Sequence, residues 1–136
     1  MSKSADLDAL FSAAKLAQGR AYAPYSRFRV GAAIRSASGA IYAGCNVENA
    51  AYPATSCAEA GAISAMVTGG DTQIAAVLVI GDGELLVTPC GNCRQKIREF
   101  AGPHTPVHVA GPDGVRASFT LAQLLPESFG PDNLTK

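Results

Sequence analysis

The sequence predicts an α/β domain in which a mixed sheet of five strands carries helices on both faces, a three-layer α/β/α arrangement. Three observations lead to this prediction. Helical and strand-like hydrophobic periods follow one another in the order helix, hairpin, helix, strand, helix, hairpin. Residues 73–81 form a near-continuous apolar run, which is typical of a central strand covered on both faces. Gly-containing turns join the two strands of each predicted hairpin.

The N-terminal part predicts a helix followed by a hairpin. Residues 4–20 place apolar side chains at a helical period, with Ser4 as a candidate cap. A proline-containing loop then leads to a strand over residues 28–35, whose apolar residues alternate. A tight turn at residues 38–39 returns the chain as a second strand over residues 40–47.

The middle of the chain predicts two helices around the central strand. The first begins at Ser56 or Cys57 and ends near residue 67, before two glycines. After the central strand, residues 84–87 predict either an extension of it or a separate short strand. The second helix is expected to begin at residues 88–89 and to end near Phe100.

The C-terminal part predicts a second hairpin and one helical turn. Its strands are expected over residues 106–110 and 115–120, joined by a turn rich in glycine. Residues 121–125 predict the helical turn, which a proline ends. Residues 128–136 have no periodic pattern of their own.

Composition predicts one well-packed domain over residues 1–136. The chain is 48% hydrophobic and 16% charged, which argues against disorder. Eleven basic residues balance eleven acidic ones, so the broad positive surface of a nucleic-acid-binding protein is not expected. The low charge also favours burial of surface against copies of the same chain.

Neither secretion nor a membrane span is predicted. The N-terminal residues are polar, and the longest apolar run, residues 74–80, is too short to cross a bilayer. We therefore expect a cytoplasmic protein without a membrane partner. In that compartment the four cysteines are expected to be reduced thiols rather than disulfides.

Three of these cysteines and one carboxylate predict a catalytic zinc site. Cys90 and Cys93 have the C-x-x-C spacing that lets two sulfurs reach one metal, and Cys57 opens the preceding helix. Three protein ligands leave the fourth zinc position open for water, and Glu59 is placed to move protons without being a ligand. Each predicted helix start also favours a thiolate.

Other interpretations of the same residues carry less weight. Cys45 could complete a structural zinc site of four thiolates, but it falls within a predicted strand and Glu59 would then have no function. A redox C-x-x-C is disfavoured because the element order is not thioredoxin-like. His104 and His108 have no neighbouring ligand at metal spacing, so a core or surface position is expected for both.

The chain resembles the small homotetrameric cytidine deaminases that bind zinc through three cysteines. The resemblance runs nearly from end to end. It rests on residues 24–33 (PYSRFRVGAA), 44–50 (GCNVENA), 89–95 (PCGNCRQ), 124–126 (LLP) and 129–131 (FGP).

This resemblance implies an enzyme with one Zn²⁺ per subunit, bound by Cys57, Cys90 and Cys93. It implies hydrolysis of cytidine and 2′-deoxycytidine to the uridines and ammonia in pyrimidine salvage. A zinc-bound hydroxide attacks C4 of the pyrimidine, while Glu59 protonates N3 and then the departing amine. The fold implied is that of the cytidine deaminases.

The resemblance also implies where the nucleoside binds. Asn46 and Glu48 correspond to residues that hydrogen-bond the ribose hydroxyls, and the main chain at Ala58 helps to hold the base. Phe28 and, from a neighbouring subunit, Phe129 enclose the nucleoside. Tyr52 stands where the family lines the pocket from another subunit. The active sites of the implied homotetramer therefore lie at subunit interfaces.

One position departs from the family pattern. The usual Cys-Ala-Glu-Arg is Cys-Ala-Glu-Ala here, so Ala60 replaces an arginine that hydrogen-bonds the zinc thiolates. Three thiolates and a hydroxide make a negatively charged centre, which needs donors to offset it. We expect N–H groups at the helix starts, together with Arg94, to take part of that function.

The sequence as a whole predicts a zinc-dependent cytidine and 2′-deoxycytidine deaminase. One alternative is a deaminase of another aminopyrimidine nucleoside, of the blasticidin S kind. A second is a catalytically silent protein with a structural zinc. Deamination of polynucleotides is disfavoured because no surplus of basic residues exists to bind phosphates.

Overall fold

The computed structural model describes residues 3–134, and its centre is a five-stranded sheet in the order β2-β1-β3-β4-β5. Strands β3 and β4 are parallel, and every other neighbouring pair is antiparallel. The predicted mixed sheet is therefore confirmed. The strands are β1 (Val30–Ser36), β2 (Ile41–Cys45), β3 (Ile74–Gly81), β4 (Pro106–Gly111) and β5 (Gly114–Thr120).

Four α-helices accompany this sheet within the described residues: α1 (Lys3–Gln18), α2 (Ala58–Thr68), α3 (Gly91–Arg98) and α4 (Leu121–Leu124). Short 3₁₀ turns lie at Tyr52–Ala54 and Pro131–Asn133. Two predictions need correction. Residues 84–87 form no strand, and α3 begins later and ends earlier than expected. The last two residues of the predicted patternless tail lie outside the described part of the chain.

Two apolar cores, one on each side of the sheet, produce the three layers. On one side, Leu10 and Ala14 of α1 pack with Leu78 and Ile80 of β3. On the other side, the second core includes Met66 of α2 and side chains of α3 and α4. The alternation along β3 points successive side chains into opposite cores, which is why its sequence is apolar almost throughout.

The close approach of α2 to β2 sets the position of the candidate site. A Cβ atom added at Gly44 would lie 2.5 Å from the backbone nitrogen of Ala62, so the glycine lets helix and strand backbones meet. Beyond β2, Val47 and Ser56 exchange two backbone hydrogen bonds of 2.9 Å. These bonds hold the end of β2 beside the first turn of α2.

Within residues 3–134, no helix combines the length and the apolar character needed to cross a bilayer.

Candidate active site and metal centre

Three cysteine sulfurs meet where α2 and α3 begin. The Sγ atoms of Cys57, Cys90 and Cys93 all lie within 4.8 Å of one another. Cys57 is the N-cap of α2, Cys90 is the N-cap of α3, and Cys93 follows in the first turn of α3. The predicted trio is therefore brought together by two helix N-termini at one edge of the sheet.

The thiols of this cluster differ in acidity because they differ in burial and hydrogen bonding. Burial, followed by the charges of neighbouring acidic groups, raises the pKa of Cys93. Burial also raises the pKa of Cys57. Burial acts on Cys90 in the same sense, but hydrogen bonds from Cys93 and Cys57 outweigh it and lower the pKa of Cys90. Of the three thiols, only Cys90 thus has a lowered pKa, and burial dominates at Cys57 and Cys93.

Such a cluster fits a zinc ion. Three neighbouring acidic groups repel one another when ionised, and a bound cation removes that repulsion and favours the thiolates. Zinc–sulfur bonds of about 2.3 Å place the sulfurs of a tetrahedral site about 3.8 Å apart. The observed cluster needs only a small contraction to reach that spacing.

Glu59 lies beside the cluster, on the first turn of α2. Its side chain is buried, with 5% relative exposure. Burial raises the pKa of Glu59 above the usual range, and a hydrogen bond with Cys93 and the charge of Lys96 partly oppose this shift. A buried carboxyl with a raised pKa is suited to accept and return a proton near neutral pH.

Arg94 does not hydrogen-bond the cysteines in place of the arginine that Ala60 replaces, contrary to the prediction. The guanidinium of Arg94 donates to three oxygen atoms, and none of these bonds reaches a cysteine sulfur. A cavity of about 450 Å³ lies beside Ala60, between α2 and α3, and Lys96 is among its lining residues. The positive charge that lowers the pKa of Glu59 is that of Lys96 rather than that of Arg94.

The structure separates the remaining cysteine and the histidines from this cluster. Among the described residues, the group that can hold a metal contains three cysteines and excludes Cys45, which is half-buried at the end of β2. His108 forms a hydrogen bond of 2.7 Å with the hydroxyl of Ser118. Neither His104 nor His108 belongs to the cluster, as the sequence predicted.

Glu48 lines a cavity of about 410 Å³ and directly follows Val47 of the Val47–Ser56 bridge. Its carboxylate accepts the backbone N–H groups of Tyr25 at 2.9 Å and Ser26 at 3.1 Å, and the Ser26 hydroxyl donates to it as well. The bond from this hydroxyl, with those from the two amides, lowers the pKa of Glu48. The group is therefore an ionised hydrogen-bond acceptor at neutral pH.

Asn46 is buried two residues before Glu48. Its Oδ1 accepts the N–H of Val30 at 2.9 Å, and its Nδ2 donates to the carbonyl oxygen of Phe28, also at 2.9 Å. Within residues 3–134, the second N–H of this side-chain amide has no hydrogen-bond partner. Asn46 thus fixes the backbone beside Phe28 and retains a donor.

The other predicted substrate residues occupy different surroundings. Ala58 is fully buried, and its N–H belongs to the first turn of α2, where intrahelical partners are lacking. Tyr52 lines the Glu48 cavity and is 72% exposed, while Phe28 lines a separate cavity with residues 82–88. Phe129 is 58% exposed, and its carbonyl oxygen accepts a hydrogen bond from Gln95 of α3.

Two contacts between segments that are distant in the sequence were not predicted. Ser26 holds Glu48, although 22 positions separate the two residues in the sequence. Arg98 of α3 donates to Ser128 and forms an ion pair of 2.7 Å with Asp132, which fastens the C-terminal segment to the helix that carries Cys93. No local sequence pattern predicts either contact.

Comparison with known proteins decides the family. Residues 4–109 match the family model described as the cytidine and deoxycytidylate deaminase zinc-binding region. The chain belongs to this family. The resemblance seen in the sequence is confirmed, and the chain is an enzyme of the cytidine deaminase type with zinc as its cofactor.

Individual members of the family extend the similarity to almost the whole chain. The cytidine deaminase of Sporosarcina psychrophila is 42% identical over 96% of both chains. That of Mycobacterium tuberculosis is 41% identical over 96% of this chain and 95% of its own. The crystal structure of the Burkholderia pseudomallei cytidine deaminase superposes with a TM-score of 0.84 at 39% identity, covering 95% of this chain and all of that one. The cytidine-deaminase-like fold is thereby confirmed.

Proposed function

We propose that this protein catalyses the hydrolytic deamination of cytidine and 2′-deoxycytidine to uridine and 2′-deoxyuridine in pyrimidine salvage. The observation that carries this proposal is the buried Glu59 beside three cysteine sulfurs that lie within 4.8 Å of one another. A three-ligand site with an adjacent carboxylate is the arrangement of a hydrolytic rather than a structural zinc.

In the proposed mechanism, Cys57, Cys90 and Cys93 hold the zinc and Glu59 moves the protons. Bound zinc supplies a Lewis acid that lowers the pKa of a water molecule and makes it a nucleophile. Glu59 accepts a proton from this water and delivers it to N3 as the oxygen bonds to C4. Glu59 then takes the second proton from the oxygen now bonded to C4 and transfers it to the amine as the bond between C4 and nitrogen breaks. Uridine and ammonia leave, and Glu59 is ionised again.

Four residues of the same chain are proposed to hold the nucleoside. The ionised Glu48 accepts hydrogen bonds from the ribose hydroxyls, and the remaining N–H of Asn46 donates to them. The backbone at Ala58, on the first turn of α2 next to Glu59, contacts the base. Phe28 packs against the nucleoside from the neighbouring loop.

The active unit is proposed to be a homotetramer of single-domain chains, residues 1–136, in the cytoplasm. The exposed rings of Tyr52 and Phe129 support this proposal, because aromatic side chains are enriched at protein interfaces. In the tetramer, Tyr52 and Phe129 complete the nucleoside pocket of a neighbouring subunit. Free thiols as zinc ligands agree with a reducing compartment.

A substrate panel tests this function. Purified protein with one zinc per chain should lower the ultraviolet absorbance of cytidine and of 2′-deoxycytidine and release ammonia. Blasticidin S, as a representative of other aminopyrimidine nucleosides, should react much more slowly. Preferential turnover of blasticidin S would replace the proposed substrate. The absence of turnover with every compound, in a folded protein with full zinc content, would favour a silent zinc protein.

Glu48→Gln should separate recognition of the ribose from the chemical step. Glutamine preserves an acceptor for the amides of Tyr25 and Ser26 but removes the charge that the ribose hydroxyls meet. A hydrogen bond to a charged group contributes about 1.5–3 kcal/mol, so kcat/KM for cytidine should fall about 10- to 100-fold, mainly through KM. Steady-state kinetics measures this change.

Glu99→Gln is the matched control, because Glu99 is an exposed carboxylate at the end of α3 and does not line the cavities of Glu48 and Phe28. It should leave both constants within about twofold of the unmodified protein, as expected for a surface substitution. A Glu48→Gln variant with unchanged KM would contradict the proposed contact with the ribose.

A further inference from the structure

Arg94 donates hydrogen bonds to the backbone on both sides of the Cys90 Cα atom. Its Nε donates to the carbonyl oxygen of Pro89 at 2.7 Å, and its backbone N–H donates to the carbonyl oxygen of Cys90 at 2.9 Å. The carbonyl groups of Pro89 and Cys90, which lie before and after the Cys90 Cα atom, are therefore both bound by Arg94. This residue lies on the helix that carries Cys93, so the two ligands of the C-x-x-C share one support.

The other guanidinium nitrogens of Arg94 reach further elements. Nη1 donates to the carbonyl oxygen of Leu124 at 2.7 Å, and Nη2 donates to the hydroxyl of Thr88 at 3.0 Å. Leu124 is the last residue of α4, where carbonyl groups lack helical partners and cations are favoured. Arg94 therefore links the turn before Cys90 to a separate part of the fold.

Cys90 needs such support more than the other two ligands do. Cys93 is completely buried, whereas Cys90 is exposed and precedes the first helical residue. Residues 82–90, which lead to it, belong to no helix or strand. The rigid fork of an arginine holds several acceptors at fixed positions, which a lysine cannot do.

We propose that Arg94 is the positioning residue of the zinc site: it fixes the turn at residues 88–90 so that Cys90 is presented to the metal. The inference deepens the proposed function and rests on its zinc site. Arg94 acts through geometry, because its bonds go to oxygen atoms of the turn and of α4 and not to the thiolates.

Release of zinc to a chromogenic chelator tests this proposal directly. Arg94→Gln and Arg94→Lys, loaded with one zinc per chain, should release the metal about 10- to 100-fold faster than the unmodified protein, which is the effect of removing a residue that orients a ligand. Thr88→Val removes one acceptor of the guanidinium and should accelerate release severalfold.

The control is Arg98→Gln, one turn further along α3. Arg98 also binds through its guanidinium, but its partners are Ser128 and Asp132 of the C-terminal segment. Its replacement should leave zinc release within about twofold of the original rate, because its bonds hold the C-terminal segment and do not reach the turn at residues 88–90. Circular dichroism establishes that each compared variant is folded.

The lysine variant separates geometry from charge. Zinc release from Arg94→Lys at the unmodified rate would show that charge alone suffices and would overturn the proposal. If Arg94→Gln does not fold, the same criterion applied to Arg94→Lys decides, and faster release from Thr88→Val supports the proposal. Release is measured without substrate, so this test and the cytidine assay fail independently of each other.

Discussion

Glu59→Gln is expected to lower kcat for cytidine by about 10²- to 10⁴-fold, the contribution of a positioned acid and base. Glutamine has nearly the same shape as glutamate, so the packing at the start of α2 should be retained. It can neither accept a proton from water nor return one to N3 and the amine. The decrease in ultraviolet absorbance of cytidine measures the remaining rate.

The comparison requires proof that zinc is still bound. Metal analysis of Glu59→Gln should give one zinc per chain, because Glu59 is not one of the three clustered ligands. Glu99→Gln is the control, since Glu99 is an exposed carboxylate at the end of α3 and should keep full activity. A Glu59→Gln variant that retains more than about a tenth of kcat would contradict the assignment of proton transfer to Glu59.

The surroundings of Glu59 explain why its loss should be so costly. The carboxyl is buried and its pKa is raised by that burial, so its proton is exchanged more readily near neutral pH than that of an exposed glutamate. Hydrogen bonds from its own backbone N–H and from Cys93, and then the charge of Lys96, oppose the rise and favour the ionised form needed to accept a proton. Burial and these opposing contacts together determine the acid–base properties of Glu59.

The parts of this site that the sequence predicted are those encoded by short-range patterns. C-x-x-C spacing brings Cys90 and Cys93 to one helix start, and the position of Cys57 two residues before Glu59 places both at another. The central strand was predicted because burial on both faces leaves an uninterrupted apolar run. In each case the cause lies within about ten residues of sequence.

The parts that were missed depend on contacts between distant segments. Arg94 donates to Leu124, which is 30 positions away, and Ser26 donates to Glu48, which is 22 positions away. Such partners are selected by the packing of α4 and of the loop at residues 23–26, which no local periodicity specifies. The expectation for Arg94 is wrong because nearness in sequence to two cysteines does not bring the guanidinium to their sulfurs; its hydrogen bonds go to oxygen atoms instead.

Replacing a metal ligand should have the other large effect. Cys93→Ser is expected to lower zinc affinity by more than about 100-fold, since changes outside the ligand shell alone cost 10- to 100-fold. Cys93 is buried on α3 and shares the cluster with Cys57, the N-cap of α2, so loss of the metal also removes a link between the two helices. The thermal midpoint should fall with the affinity, because a ligand that binds only the native state stabilises it by mass action. Calorimetry with and without zinc measures both changes.

Cys45→Ser is the matched control and also distinguishes a catalytic from a structural zinc. Cys45 lies at the end of β2, outside the three-cysteine group, so its replacement should leave zinc content unchanged. X-ray absorption of the unmodified protein should show three sulfurs and one oxygen, and Cys93→Ser with residual zinc should show two sulfurs. Four sulfurs in the unmodified protein, with one lost in Cys45→Ser, would identify a closed structural site. A closed site leaves no position for water and therefore no proton for Glu59 to transfer. The ligand count thus decides whether the buried Glu59 can act as an acid and base.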